Sequence, residues 1–112
     1  MDAAAHKINL PDDFLQRVVS SIVSAVPTEA VYVFGSYARG NENADSDLDL
    51  YVVTSDDEEG RFERAGRVGR ALLWMGMPKD ILLGSSSRFA SRRESRANIE
   101  YVVAREGVKV YG

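Results

Sequence analysis

From Phe14 to Val26 the apolar residues recur at helical spacing, with Phe14, Leu15, Val18, Val19, Ile22, Val23 and Val26 forming one stripe. That pattern predicts an amphipathic helix facing a core. Pro11, Asp12 and Asp13 suit its first turn, because proline fits the first helical position and carboxylates fit the positive end of the helix dipole. Pro27 ends it. Ala30 to Phe34 is a short, continuously apolar run rich in β-formers, which predicts a strand covered on both faces. A polar loop from Ser36 to Ser46 follows. The next segment, Asp47 to Thr54, alternates: Asp47, Asp49, Tyr51 and Val53 fall on one face, and Leu48, Leu50 and Val52 on the other. It predicts a second strand.

Asp56 to Glu59 place four acids at the start of a second helix, whose buried face is read as Phe62, Ala65, Val68, Gly69, Leu72 and Leu73. Gly76 and Pro78 stop it. A third strand is predicted between Lys79 and Gly84, followed by a serine-rich turn or cap at Ser85 to Ser87. A third helix carries Ile99, Val102 and Val103 and closes at Gly107, leaving Val108 and Val110 for a short edge strand. The order α-β-β-α-β-α-(β) gives an α/β (α+β mixed) fold, a small mixed β-sheet backed by helices.

The 112 residues are 45% hydrophobic, enough to build the core of one domain, expected to span 1–112 with residues 1–10 as a flexible N-terminal tail. There are no cysteines, which removes disulfides, thiolate zinc sites and a cysteine nucleophile, and suits a reducing, cytoplasmic setting. No apolar run approaches the ~20 residues needed to span a bilayer, so no membrane is expected. Fourteen basic and 17 acidic residues leave a net charge of −3, which argues against general nucleic-acid binding. The single histidine, His6, lies in the expected tail and argues against a histidine triad. Arg61, Arg64, Arg67 and Arg70 recur every third residue and are read as a solvated face. Arg88, Arg92, Arg93 and Arg96 follow the third strand and are open to reading as an acceptor or partner surface beside a catalytic mouth. Trp74 and Met75 are read as packing rather than as a platform for a base.

Candidate chemistry concentrates in Gly35-Ser36-Tyr37-Ala38-Arg39-Gly40 and Ser46-Asp47-Leu48-Asp49-Leu50, with ten residues between the Gly-Ser pair and Asp47. Residues two apart on a strand share a face with Cα atoms ~6.6 Å apart, so Asp47 and Asp49 can converge on hard cations such as magnesium. Phosphoryl and nucleotidyl transfer sites hold two such ions ~3.5 to 4 Å apart, normally with a third carboxylate. Asp80, at the start of the third strand, is the candidate. Gly35 permits close approach of a triphosphate, whose oxygens the Ser36 hydroxyl and backbone N–H groups can bind, and Arg39 offers a charge-assisted contact. The loop lacks the Gly-Lys-Ser/Thr ending of a P-loop.

This pattern resembles the signature of the DNA polymerase β-like nucleotidyltransferase superfamily, and the string GSYARGNENADSDLDLYVV resembles its minimal nucleotidyltransferases, the MNT-type antitoxins, from about Pro11 to Tyr111. The resemblance implies that Asp47 and Asp49 bind Mg2+, that Gly35 and Ser36 bind the nucleoside triphosphate, and that Asp80 completes a metal-binding triad. Two ions are implied, with ATP as substrate. It further implies AMP transfer from ATP to a tyrosine of a partner HEPN-type toxin. Larger relatives append a helical acceptor domain, for which this chain is expected to have no room. Other acceptors stay open: an aminoglycoside-like small molecule, an RNA 3′ end, or Tyr37, Tyr101 or Tyr111 of the chain itself. A non-catalytic antitoxin that acts by occlusion, and a homo-oligomer, also stay open.

Overall fold

A computed structural model describes residues 7–56 and 60–112. The helices are α1 (Asp12–Ala25), α2 (Ser36–Arg39), α3 (Arg61–Ala71), α4 (Ser86–Arg92) and α5 (Ile99–Glu106). A 3-10 turn, Leu73–Met75, follows α3. The strands are β1 (Thr28–Phe34), β2 (Leu48–Thr54), β3 (Lys79–Ser85) and β4 (Val108–Tyr111), in the order β3-β2-β1-β4. β1 runs antiparallel to β2 and to β4, whereas β2 and β3 are parallel, joined by the crossover through α3. This is the expected mixed sheet backed by helices.

Period-2 alternation sorts the strands into two apolar layers. Val31, Val33, Leu48, Leu50 and Val52 face α1 and α3, where they meet Leu15, Val18, Ile22, Val68 and Leu72. Ala30, Phe34, Tyr51 and Val53 face the other way, against Phe89 of α4 and Val103 of α5. Both faces of the central strands are therefore covered, as the continuous apolar run of β1 predicts. Trp74 packs on α1: its ring meets Phe14 edge-on at 5.4 Å, the Arg17 guanidinium lies 3.9 Å from its centroid, and its indole N–H donates to Ser21 Oγ at 3.1 Å.

Several expectations need correction. Ile8 is buried in the core and Leu10 packs against it, so the tail expected over residues 1–10 is docked at its C-terminal end. Residues 1–6, His6 among them, and three of the four acids at 56–59 lie outside the described residues. Val23 is exposed, at the edge of the α1 stripe. On α3 the buried positions are Arg64 and Val68, continued by Leu72, which turns Phe62 (87% exposed) outward; Leu73, past the helix end, is 73% exposed. Positions two apart on a helix stand about 200° apart, so burying position 64 forces 62 away from the core. Nor is the arginine row a solvated face throughout. Arg64 Nη1 donates to Ser55 O and Arg67 Nε to Ala25 O, each at 2.8 Å, tying α3 to the ends of β2 and α1. The expected third helix is preceded by a separate one, α4, whose N-cap Ser85 accepts the Arg88 N–H.

Candidate active site

β1 ends at Phe34, which pairs directly with Asp49 across the antiparallel ladder. The chain must turn at once, and Gly35 does so with φ 72° and ψ −150°, a region that side-chain-bearing residues avoid. A Cβ at Gly35 would also run into the Asp49 carboxylate. Glycine is thus required twice over: by its backbone, and by the acid lying against it. Ser36 then opens the short α2, which places Ser36 and Arg39 on the same turn and closes at Gly40. No helical periodicity announces so short an element, and the sequence reads it as loop.

Local hydrogen bonds shape the approach to β2. Asn43 Oδ1 accepts the Asp45 N–H at 2.8 Å, and Ser46 Oγ accepts the Asn43 N–H at 2.9 Å, folding the loop on itself just before Asp47. Leu48 N–H then donates to Pro78 O at 3.0 Å and starts the parallel β2–β3 pairing, in which Asp49 lies beside Asp80. Asp47 and Asp80 are exposed and Asp49 is half-buried. Burial pushes the Asp49 carboxyl above its ordinary range, the negative charges of Asp80 and Asp47 and a hydrogen bond with Asp80 push it further, and Arg39 opposes them. All six residues singled out by the motif therefore sit at one end of the β1–β2–β3 sheet.

These carboxylates are hard oxygen donors whose mutual repulsion is felt at Asp49, a chemistry that suits a magnesium-class cation. Among the described residues no three His, Cys, Asp or Glu side chains are drawn close enough together to share an ion. The donors fit the metal in type, and the apparatus is not closed around it.

A second polar group, unannounced by the motif, lies one step further along the same face of β2. Tyr51 donates its hydroxyl to Glu100 Oε2 at 2.8 Å, and Arg92 Nε donates to Glu100 Oε1 at 3.1 Å, with Arg88 Nε 3.8 Å from Oε2. Gly84 of β3 makes room for the Tyr51 hydroxyl, which a Cβ there would strike. Burial pushes the Tyr51 hydroxyl up, and its bond to Glu100 adds to the effect. Burial also pushes Glu100 up, yet the bonds it accepts from Tyr51 and Arg92 outweigh that and hold it below the usual carboxylate range. The visible signal is Glu100 itself, a carboxylate three residues before Val103 on the buried face of α5. Arg93 lies 5.4 Å from the Phe89 ring instead, and Arg96 is exposed.

Residues 15–106 match the family described as nucleotidyltransferase domain. No curated protein matches the chain at a significant level. Among solved structures, a toxin–antitoxin with AMP-PNP is 21% identical with a TM-score of 0.61, covering 88% of this chain and 73% of that one. A Sulfolobus solfataricus protein described as a nucleotidyltransferase is 23% identical with a TM-score of 0.61, covering 87% and 76%. A tri-AMPylated Shewanella oneidensis HEPN toxin in complex with MNT antitoxin is 16% identical with a TM-score of 0.59, covering 88% and 70%.

Proposed function

The chain belongs to the nucleotidyltransferase-domain family, and from that premise we propose that it transfers AMP from ATP, with Mg2+, to a tyrosine hydroxyl of a HEPN-type toxin partner. The observation that carries this reading is the meeting of Gly35, Asp49 and Asp80 at one sheet end, with Asp47 just before β2 and near enough for its charge to reach Asp49, and Ser36 and Arg39 on the adjoining turn. Further support comes from the fold shared with a toxin–antitoxin that holds AMP-PNP and with a complex that contains an AMPylated HEPN toxin. We read residues 1–112 as one nucleotidyltransferase domain acting in the cytoplasm; among the described residues no helix is long and apolar enough to cross a membrane.

In this reading Asp47, Asp49 and Asp80 would hold Mg2+, which when bound supplies charge neutralisation at the triphosphate. Gly35 allows the triphosphate to approach the backbone, the Ser36 hydroxyl donates to its oxygens, and Arg39 adds a charge-assisted contact. Asp80 orients the acceptor hydroxyl and takes its proton. The hydroxyl oxygen bonds to the α-phosphorus, the bond from that phosphorus to the bridging oxygen breaks, and pyrophosphate leaves with the electron pair. The test is intact mass spectrometry of this chain and its co-purified partner after incubation with Mg2+ and ATP, beside the Asp47→Asn/Asp49→Asn variant. An AMP mass on the partner, lost in the variant, is expected. No added mass on any chain would overturn the reading.

A further inference from the structure

We propose that the open edge of β3 receives an extended, acidic segment of the acceptor protein as an added strand, which carries the acceptor hydroxyl to Asp80. The inference rests on the proposed function above and specifies the form in which the acceptor arrives.

β3 pairs with β2 on one side only, and among the described residues no strand takes its other side. Natural edge strands are blunted by prolines, bulges or inward-pointing charges. β3 has no proline and no bulge: all seven residues from Lys79 to Ser85 stay in unbroken register with β2, and its charged residues, Lys79 and Asp80, stand together at the strand's start. A row of backbone donors and acceptors is thus left for a partner to pair with.

Beside that edge lies a groove of about 320 Å³. Leu82 of β3, Phe62 of α3 and Ile99 of α5 are among the residues that line it. All three are large apolar side chains left in water, at 38%, 87% and 40% exposure, and such clustering marks an interaction surface. The rim is charged. Among the described residues Arg61, Arg88 and Arg92 line the groove together with one carboxylate, Glu100, itself 2% exposed, so there three positive charges stand against one buried negative charge. In a chain of net charge −3 this local excess selects an acidic occupant. Glu100 also fixes Arg92 and draws Arg88 toward it, which lowers the entropy cost of gripping a ligand.

Register links groove and mouth. Tyr51 pairs with Leu82 and Asp49 with Asp80, so Leu82, which lines the groove, lies two residues along β3 from Asp80, ~6.6 Å, and on the same face. A strand laid along this edge that seats an apolar residue beside Leu82 brings the residue two positions away to Asp80. The acceptor sequence is therefore a hydroxyl residue, an apolar residue two positions from it, and acidic residues around them.

The test uses the full chain and the peptide Glu-Tyr-Glu-Ile-Glu-Val, blocked at both ends, with a counterpart carrying Lys for Glu, and a single-stranded RNA oligonucleotide. Amide exchange and NMR shifts are read at β3, Phe62 and Ile99. The acidic peptide is expected to protect β3 amides and shift the groove signals, whereas the lysine peptide and the RNA do neither. Phe62→Ser combined with Arg61→Glu, both at exposed positions, is expected to weaken the peptide by about tenfold or more while ATP binding is unchanged. The proposal is overturned if the RNA or the lysine peptide occupies the groove, if the acidic peptide leaves β3 unprotected, or if that double variant labels the partner at the original rate. The last outcome would leave the proposed transfer standing. Conversely, loss of AMP transfer on every acceptor, with the peptide still protecting β3, would remove the transfer reading and keep the groove.

Discussion

Asp49 carries the sharpest conflict between stability and chemistry in the molecule. Its carboxylate is half-buried against Gly35, flanked by the charges of Asp80 and Asp47, with Arg39 as the opposing cation. An aspartate raised above its unfolded range favours the unfolded chain once it ionises, so the penalty is present at neutral pH and vanishes in acid. Asp49→Asn removes it. We expect that variant to melt about 1–3 °C higher than the parent in the absence of divalent cations, a modest gain because solvent screens part of the repulsion, and to lose nucleotidyl transfer. Differential scanning calorimetry decides the first half; an unchanged or lower Tm would show that the charge is not under strain.

At the level of elements, α4 and α5 are fastened to the sheet through one buried carboxylate. Glu100 accepts from Tyr51 of β2 and from Arg92 of α4, so Glu100→Gln leaves the guanidinium without its charge partner in a half-buried setting. A loss of about 2 kcal/mol is expected at pH 7 from urea unfolding. Because Glu100 is held below its unfolded range, its contribution is complete above the ordinary glutamate pKa and drains away as pH falls through the lowered one. The parent should therefore lose more stability than the Gln variant between pH 5 and about pH 3, and parallel curves would refute the clamp. The alternation of β2 made both of its faces legible in the sequence, and the Gly-Ser and Asp-x-Asp spacing picked out residues that the fold gathers at one sheet end. Interactions across elements were not. Arg64 and Arg67 read as solvated because their charge hides the length of their stems, which reach backbone carbonyls of other segments. Phe62 read as buried because a short helix admits two overlapping stripes, and packing chose the one through Arg64 and Val68. Glu100 lay in plain view on an apolar stripe, but its partners come from 8 and 49 residues away.

Across the whole molecule, the three carboxylates at the mouth come from strands of very different chain separation. β1 and β2 are adjacent antiparallel partners joined by the loop around α2, and this pair alone carries the Gly35 turn, Asp47 and Asp49. Asp80 arrives on a parallel strand that can pair only after the chain has crossed over through α3. Closing that longer connection costs more entropy before its contacts form, so parallel pairing trails antiparallel pairing in time. Pulsed hydrogen exchange during refolding should protect β1 and β2 amides before those of β3, and the reverse order would contradict this. A newly made chain thus passes through an interval in which the Gly35 turn and Asp49 are in place and Asp80 is not. On the assignment proposed above, such a half-built enzyme would bind its nucleotide and spend none of it, remaining chemically silent until β3 docks.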